Sequence, residues 1–224
     1  MYITIFVEGN ESLFLQNLIL KIAPELNQEE VQIVTSIQPT EAGKHRINIL
    51  NSKGVTKLHL SKVNFEKTIA HGGVNLVIYD ADDPSKDFGG FATRLAYLEQ
   101  QKSELSLKFD TFLFPDNLND GDYETLLEGL IVETHRGVLD CFEGYRACLN
   151  AKNPQYKAPG NKEKMYSYVA VMAMEEEEEK RFKKRNTIKQ DDFLFERADI
   201  WNLDSPKLQP LKDFLLKYLQ PKAI

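Results

Sequence analysis

The sequence is poor in cysteine and histidine and has no long apolar run, and each shortage removes a class of chemistry. Cys141 and Cys148 are the only cysteines in 224 residues, too few for a four-cysteine zinc site or a disulfide scaffold. They lie seven apart on one face of an expected helix and read as reduced small hydrophobes. The four histidines are scattered singly, which speaks against a histidine-rich metal centre. No apolar stretch approaches the roughly 20 residues that a bilayer span requires. The first apolar run breaks at Glu8 and has no basic segment ahead of it, unlike a secretory leader. These absences point to a reducing cytoplasm and no membrane. Positive charge is also short: 28 Lys and Arg against 34 Asp and Glu give a formal net charge of -6. That argues against indiscriminate nucleic-acid binding through the global field, and leaves room for a local basic groove or a metal. A Walker-type glycine-rich loop is missing, and neither Ser12 nor Ser85 has a histidine at a readable spacing.

What is present is an ordinary globular balance, 42% hydrophobic and 28% charged. The N-terminal part alternates short apolar runs with helical periodicity. Strands are expected at Tyr2–Val7, Val31–Val34, Ile47–Leu50, Val55–Leu60, Val74–Tyr79 and Phe109–Phe114. Asn51-Ser52-Lys53-Gly54 reads as a hairpin turn between the third and fourth of these. Helices are expected after the first strand (Leu13, Phe14, Leu18, Ile22), around Phe65–Ala70 and near Phe91–Gln101. Alternating strands and helices imply crossover units and a mainly parallel sheet. From Tyr123 onward the periodicity is helical, with further helices expected over Met165–Met174 and around Leu211–Tyr218. The expected architecture is an α/β core over residues 1–135 with a helical C-terminal extension over 136–224.

Acidic groups follow two of the apolar runs. Val74–Tyr79 leads into Asp80-Ala81-Asp82-Asp83, and Tyr2–Val7 leads into Glu8-Gly9-Asn10-Glu11. Carboxylates at i and i+2 of a strand project to one side. Held that close they repel unless a cation lies between them, and a hard divalent ion is the usual occupant. In open α/β sheets, ligands bind beyond the carboxyl ends of the strands. Glu8, Asp80 and Asp82 therefore suit one metal–phosphate site. Each motif also has a plainer reading. Asp83-Pro84-Ser85 is a turn signal, Glu11 is an acid at a helix start, and Asp120-Gly121-Asp122-Tyr123-Glu124 suits a helix N-terminus. Lys86 and Arg94 can touch a phosphate, but surface solvation is the simpler expectation. Glu175–Glu179 followed by Lys180, Arg181, Lys183, Lys184 and Arg185 reads as a solvated helix pairing Glu176 with Lys180 and Glu179 with Lys183; its functional alternative is a basic strip for nucleic acid or a partner. Trp201 and Phe214 read as core.

Val7-Glu8-Gly9 behind one strand and Tyr79-Asp80-Ala81-Asp82 behind a later one resemble the toprim signature. Toprim domains occur in topoisomerases, bacterial primases and the overcoming-lysogenization-defect nucleases. Phe112-Leu113-Phe114-Pro115-Asp116-Asn117, Gly121–Leu127, Trp201–Pro206 and Phe214-Leu215 extend the likeness to an uncharacterised bacterial toprim-like family, some of whose members sit beside ATPase genes. The resemblance implies that Glu8 is a general acid/base. It further implies that Asp80 and Asp82 hold Mg²⁺ (or Mn²⁺) against a nucleic-acid phosphate, with Glu124 or Asp122 as an extra acidic contact. The implied partners are nucleic acid and an ATPase protein. Many toprim sequences carry an acid a few residues beyond the glycine, and here only Glu11 offers one. No tyrosine is identifiable as a strand-breaking nucleophile, which argues against a complete topoisomerase. A non-catalytic toprim-like interaction module is the alternative from a different class. A metal-dependent nucleotide-sugar transferase would also use Asp80-Ala81-Asp82, but has no call for Glu8.

Overall fold

In a computed structural model, the described residues are 1–37, 45–172, 175–185 and 193–219, with 181–185 described by backbone alone. In chain order the elements are β1 (Tyr2–Val7), α1 (Ser12–Ile22), β2 (Val31–Val34), β3 (Arg46–Asn51), α2 (Lys62–Ala70), β4 (Val74–Asp80), α3 (Phe91–Glu104) and β5 (Asp110–Phe114). Then follow α4 (Tyr123–Glu128), α5 (Gly137–Lys152), α6 (Asn161–Ala170), α7 (Glu176–Arg185) and α8 (Gln209–Leu219). They divide between two compact units, Met1–Leu126 with Pro206–Ile224, and Leu127–Ser205.

The first unit is an α/β structure consistent with a toprim-like domain. Its five strands form one sheet in the order β2-β3-β1-β4-β5, with every pairing parallel. Central β1 sets Ile5 opposite Ile49 on one side and Leu76 on the other. Parallel neighbours need crossovers, and helices laid on both faces bury the strands from both sides. This is why β1 is buried without a break from Ile3 to Val7. On one face Phe6, Val77 and Tyr79 pack with Leu58, Phe65 and Leu98, the Phe6 and Phe65 rings stacking at 3.8 Å. Elsewhere in the unit, α1 buries Phe14, Leu15, Leu18 and Ile19. The final helix α8 buries Leu211, Phe214 and Leu215, its Phe214 ring 5.5 Å from Phe112 of β5. At about 1.5–3 kcal/mol per fully buried large apolar side chain, such a helix is firmly held.

One expected strand is not a strand. Val55–Ser61 forms a 3-10 helix. Gly54, at φ +102, turns the chain out of β3, and Val55 and Leu58 are buried while Leu60 is 62% exposed. That is a spacing of three, not the alternation of a strand. A hairpin partner would also find no free edge, because β3 is already flanked by β1 and β2.

The second unit is helical. Its core is aromatic: the Trp201 ring lies 5.3 Å from both Tyr168 and Phe195. Trp201 Nε1 donates to the Phe193 carbonyl, and the Tyr168 hydroxyl donates to the Ile200 carbonyl at 2.8 Å. Burial pushes the Tyr168 phenol up to about 12. Helix α5 buries Leu139 and Phe142. Cys141 and Cys148 are free and exposed, so these cysteines do not serve as packed hydrophobes. Helix α6 ends at Ala170, and Met174 lies outside the described residues. In α7, Glu176 pairs with Lys180 at 2.9 Å, while the side chains of Lys183 and of the other basic residues in 181–185 lie outside the described ones. Among the described residues, no helix is long and apolar enough to cross a membrane.

Candidate active site

Because β1 and β4 are adjacent and parallel, with Val7 opposite Ile78, their carboxyl ends deliver Glu8 and Asp80 to one edge of the sheet. Behind that edge the Ser52 hydroxyl donates to the Val7 carbonyl at 2.9 Å and bonds the Tyr79 hydroxyl, bracing both strands. Past Asp80 the chain leaves the strand. Asp82 adopts φ +64, a left-handed conformation that aspartate tolerates better than most residues. Its N–H donates to the Gly121 carbonyl at 2.6 Å, and the Gly121 N–H donates back at 3.2 Å. The following loop folds so tightly that a Cβ on Gly89 would stand 2.0 Å from the Asp83 carbonyl oxygen. Gly90 N–H then donates to the Ala81 carbonyl at 2.9 Å, and α3 begins.

The same-side geometry expected of Asp80 and Asp82 stops at the end of β4, and their carboxylates take different partners. Asp80 Oδ1 accepts the Tyr123 N–H at 2.8 Å. Asp82 Oδ1 accepts Lys86 Nζ at 2.5 Å, while Oδ2 accepts Arg94 Nη2. Arg94, expected on the solvated surface, is only 2% exposed, because the Gly89–Gly90 fold aims the first turn of α3 at the edge. Its Nη1 also lies 3.9 Å from Glu8 Oε1. No sequence pattern announced this role; an arginine in the first turn of the helix after an acidic loop was the only signal.

Glu8 Oε1 accepts the Val55 N–H at 3.2 Å, so the 3-10 helix helps to fix it, while the buried Oε2 has no hydrogen-bond partner. Burial raises the Glu8 pKa above the ordinary carboxylate value, against the opposing pull of Arg94. Glu11, at the start of α1, turns its carboxylate onto the Gly9 N–H at 2.9 Å. Burial, with the charges of Glu8 and Glu124 adding to it, pushes Glu11 up to about 7. Asp80 is raised well above the usual range by burial and then by Glu11, Glu8 and Glu124. Glu124, in the first turn of α4, thus acts electrostatically on both Asp80 and Glu11. The remaining acids are occupied by backbone N–H groups, locally for Asp122 and Asp83 and across the loop at the start of α3 for Asp120. Asp122 Oδ1 accepts the Thr125 N–H at 2.8 Å, Asp83 Oδ1 accepts the Ser85 N–H at 2.8 Å, and Asp120 Oδ1 accepts the Phe91 N–H at 2.6 Å.

The edge therefore separates into two parts. Asp82 is paired with Arg94 and Lys86, whereas the pKa values of Glu8, Glu11 and Asp80 are all raised, first by burial and then by the acids around them. A set made only of carboxylate oxygens, including the partnerless Glu8 Oε2, fits a hard divalent cation in chemistry. Among the described residues, no three His, Cys, Asp or Glu side chains stand ready to hold a metal as placed. Mg²⁺ itself requires only one or two carboxylates, keeping several waters.

Residues 2–220 match the family described as "Protein of unknown function (DUF3226)". No curated protein matches the chain. Among solved structures, the C-terminal region of the Burkholderia pseudomallei OLD protein is similar at 13% identity and a TM-score of 0.38, covering 97% of this chain and 96% of that one.

Proposed function

The chain belongs to the DUF3226 family, and for it we propose a Mg²⁺-dependent, nuclease-like phosphoryl-transfer activity on nucleic acid, exercised with an ATPase partner. The observation that carries this reading is the gathering of Glu8, Glu11 and Asp80 beyond the carboxyl ends of β1 and β4. All three are made harder to ionise first by burial and then by neighbouring acids, Asp82 acting on Glu8, Glu8 and Glu124 on Glu11, and Glu11, Glu8 and Glu124 on Asp80. Like charges gathered beyond a parallel sheet are best explained by a cation that arrives with the substrate. The toprim-like order of Glu8 before Asp80-Ala81-Asp82 supports the same assignment. Asp80 and Glu124 would hold Mg²⁺ or Mn²⁺, with Asp82 beside them on Arg94 and Lys86. The ion's contribution would be to stabilise charge developing on phosphate oxygens. Glu8, with a raised pKa and a partnerless oxygen, suits the transfer of a proton to or from a water or hydroxyl.

A second reading, a toprim-like module that binds without turnover, is favoured by one observation: both Asp82 oxygens already accept from cationic side chains. Calorimetric titration of Mg²⁺ and Mn²⁺ into the wild type and an Asp80→Ala/Asp82→Ala variant separates the two. Saturable binding that the double variant loses, followed by nuclease activity that Glu8→Gln lowers by about 10²- to 10⁴-fold, supports the enzyme. Metal binding without cleavage, with or without the ATPase, supports the module. No metal binding, even with an oligonucleotide present, sinks the autonomous enzyme.

A further inference from the structure

Arg94 is balanced in charge but not in hydrogen bonds. A guanidinium has five N–H donors in a planar fork. Nη2 donates to Asp82, whereas Nε and Nη1 are shielded from solvent and have no hydrogen-bond partner. Glu8 Oε1, at 3.9 Å from Nη1, gives an ion pair beyond hydrogen-bond reach. Buried donors on a charged group are costly to leave unmade, and neighbouring guanidinium N–H groups suit the two oxygens of an oxyanion. Lys86, on the other oxygen of Asp82, adds a 58%-exposed ammonium to the same side chain. From this arrangement we infer that Arg94 donates to a phosphate oxygen of the ligand through Nη1, as the side chains covering it part, while Nη2 keeps Asp82 in place. Arg94 is then the group that lets an anion approach an otherwise acidic edge. The inference rests on the phosphoryl-transfer reading and supplies its phosphate-binding residue, which the toprim-like motifs do not name.

The test compares wild type, Arg94→Gln and Arg94→Lys, each checked for folding by circular dichroism. Three readouts are taken: anisotropy of a fluorescein-labelled oligothymidine with Ca²⁺ in place of Mg²⁺, Mg²⁺ calorimetry, and the change in Tm on adding inorganic phosphate. Arg94→Gln should weaken oligonucleotide binding by about tenfold or more, with Arg94→Lys intermediate. Mg²⁺ affinity should hold or rise, since a competing cation has been removed. A folded variant that binds the oligonucleotide as wild type does overturns the inference and leaves Arg94 a counter-ion only; should Arg94→Gln not fold, Arg94→Lys decides. If wild type binds neither metal nor oligonucleotide, the phosphoryl-transfer reading fails and phosphate alone judges Arg94. A phosphate-induced rise in Tm that Arg94→Lys loses upholds the inference, and no rise in wild type overturns it.

Discussion

Lys164 in the second unit and Arg94 in the first are both cations removed from water, and each is met by two carboxylates. Lys164 Nζ donates to Glu128 at 2.7 Å and to Glu143 at 3.0 Å, and those acids are 39% and 49% exposed. The acids around Arg94, Glu8 and Asp82, are 23% and 14% exposed, and two of its nitrogens lack hydrogen-bond partners. The first arrangement has its donors and acceptors matched and shares its acids with water, as a structural strut should. The second keeps its acids from water and its donors unmatched, a state that persists only where the surrounding fold imposes it. A cation between two acids is therefore not informative by itself. How far the group is hydrogen-bonded, and how much water reaches its partners, separates support from site.

The largest way to break this contrast is Arg94→Met. It leaves the Glu8 charge without its cation and Asp82 with Lys86 alone, and should cost about 3 kcal/mol in urea melts at alkaline pH in EDTA. The loss should shrink in acid, as Glu8 takes up its proton. If Arg94→Met costs no more than Lys164→Met, the contrast fails.

Next comes pH. The folded-state pKa of Glu11, about 7, exceeds its ordinary 4.5, so the folded chain binds that proton more tightly than the unfolded chain does. Its contribution to stability is complete below the ordinary value and is lost as pH rises through the folded one. Glu8 and Asp80 are shifted in the same direction. In metal-free buffer, stability should therefore fall between about pH 4.5 and 7.5, and Glu11→Gln should remove on the order of 3 kcal/mol of that fall. Denaturant midpoints across this range check it; an unchanged slope in the variant would mean that Glu11 is not part of the coupled group. In the second unit Glu143 and Asp199 are shifted the other way, downward, by their bonds to Lys164 and Arg197, so they should contribute in the opposite sense. The smallest effect expected is that of Lys164→Met, about 1 kcal/mol, because Glu128 and Glu143 can rehydrate.

The strands of the first unit were readable because each is largely apolar, β1 through its two-sided burial and edge strand β2 through a short run around Gln32; Tyr2–Val7 and Val31–Val34 form over the expected residues. Val55–Leu60 misled because β-branched and aliphatic residues near a glycine suit either a strand or a tight helix, and the choice was made by β3 having both edges occupied. At the site, the motifs gave the strand ends and their acids. They could not tell Glu11, whose carboxylate turns inward onto Gly9, from an acid that merely favours a helix start. Nor could they foresee Arg94, since its burial depends on a loop folded back on itself at Gly89. Asp83 and Asp122 show the opposite case, where the plain turn and cap reading accounts for their contacts, whereas Asp120 caps the start of α3 and not the helix that follows it.

The return of the chain to its first unit has a consequence for how the protein emerges from a ribosome. Phe112 of β5 is met by Phe214 of α8, yet all of the second unit is translated between them. At about 5–20 residues per second, the nascent sheet waits several seconds with that apolar patch uncovered. During that interval the first unit is a target for chaperones and for aggregation, and a chain interrupted near Ser205 would carry the exposed patch permanently.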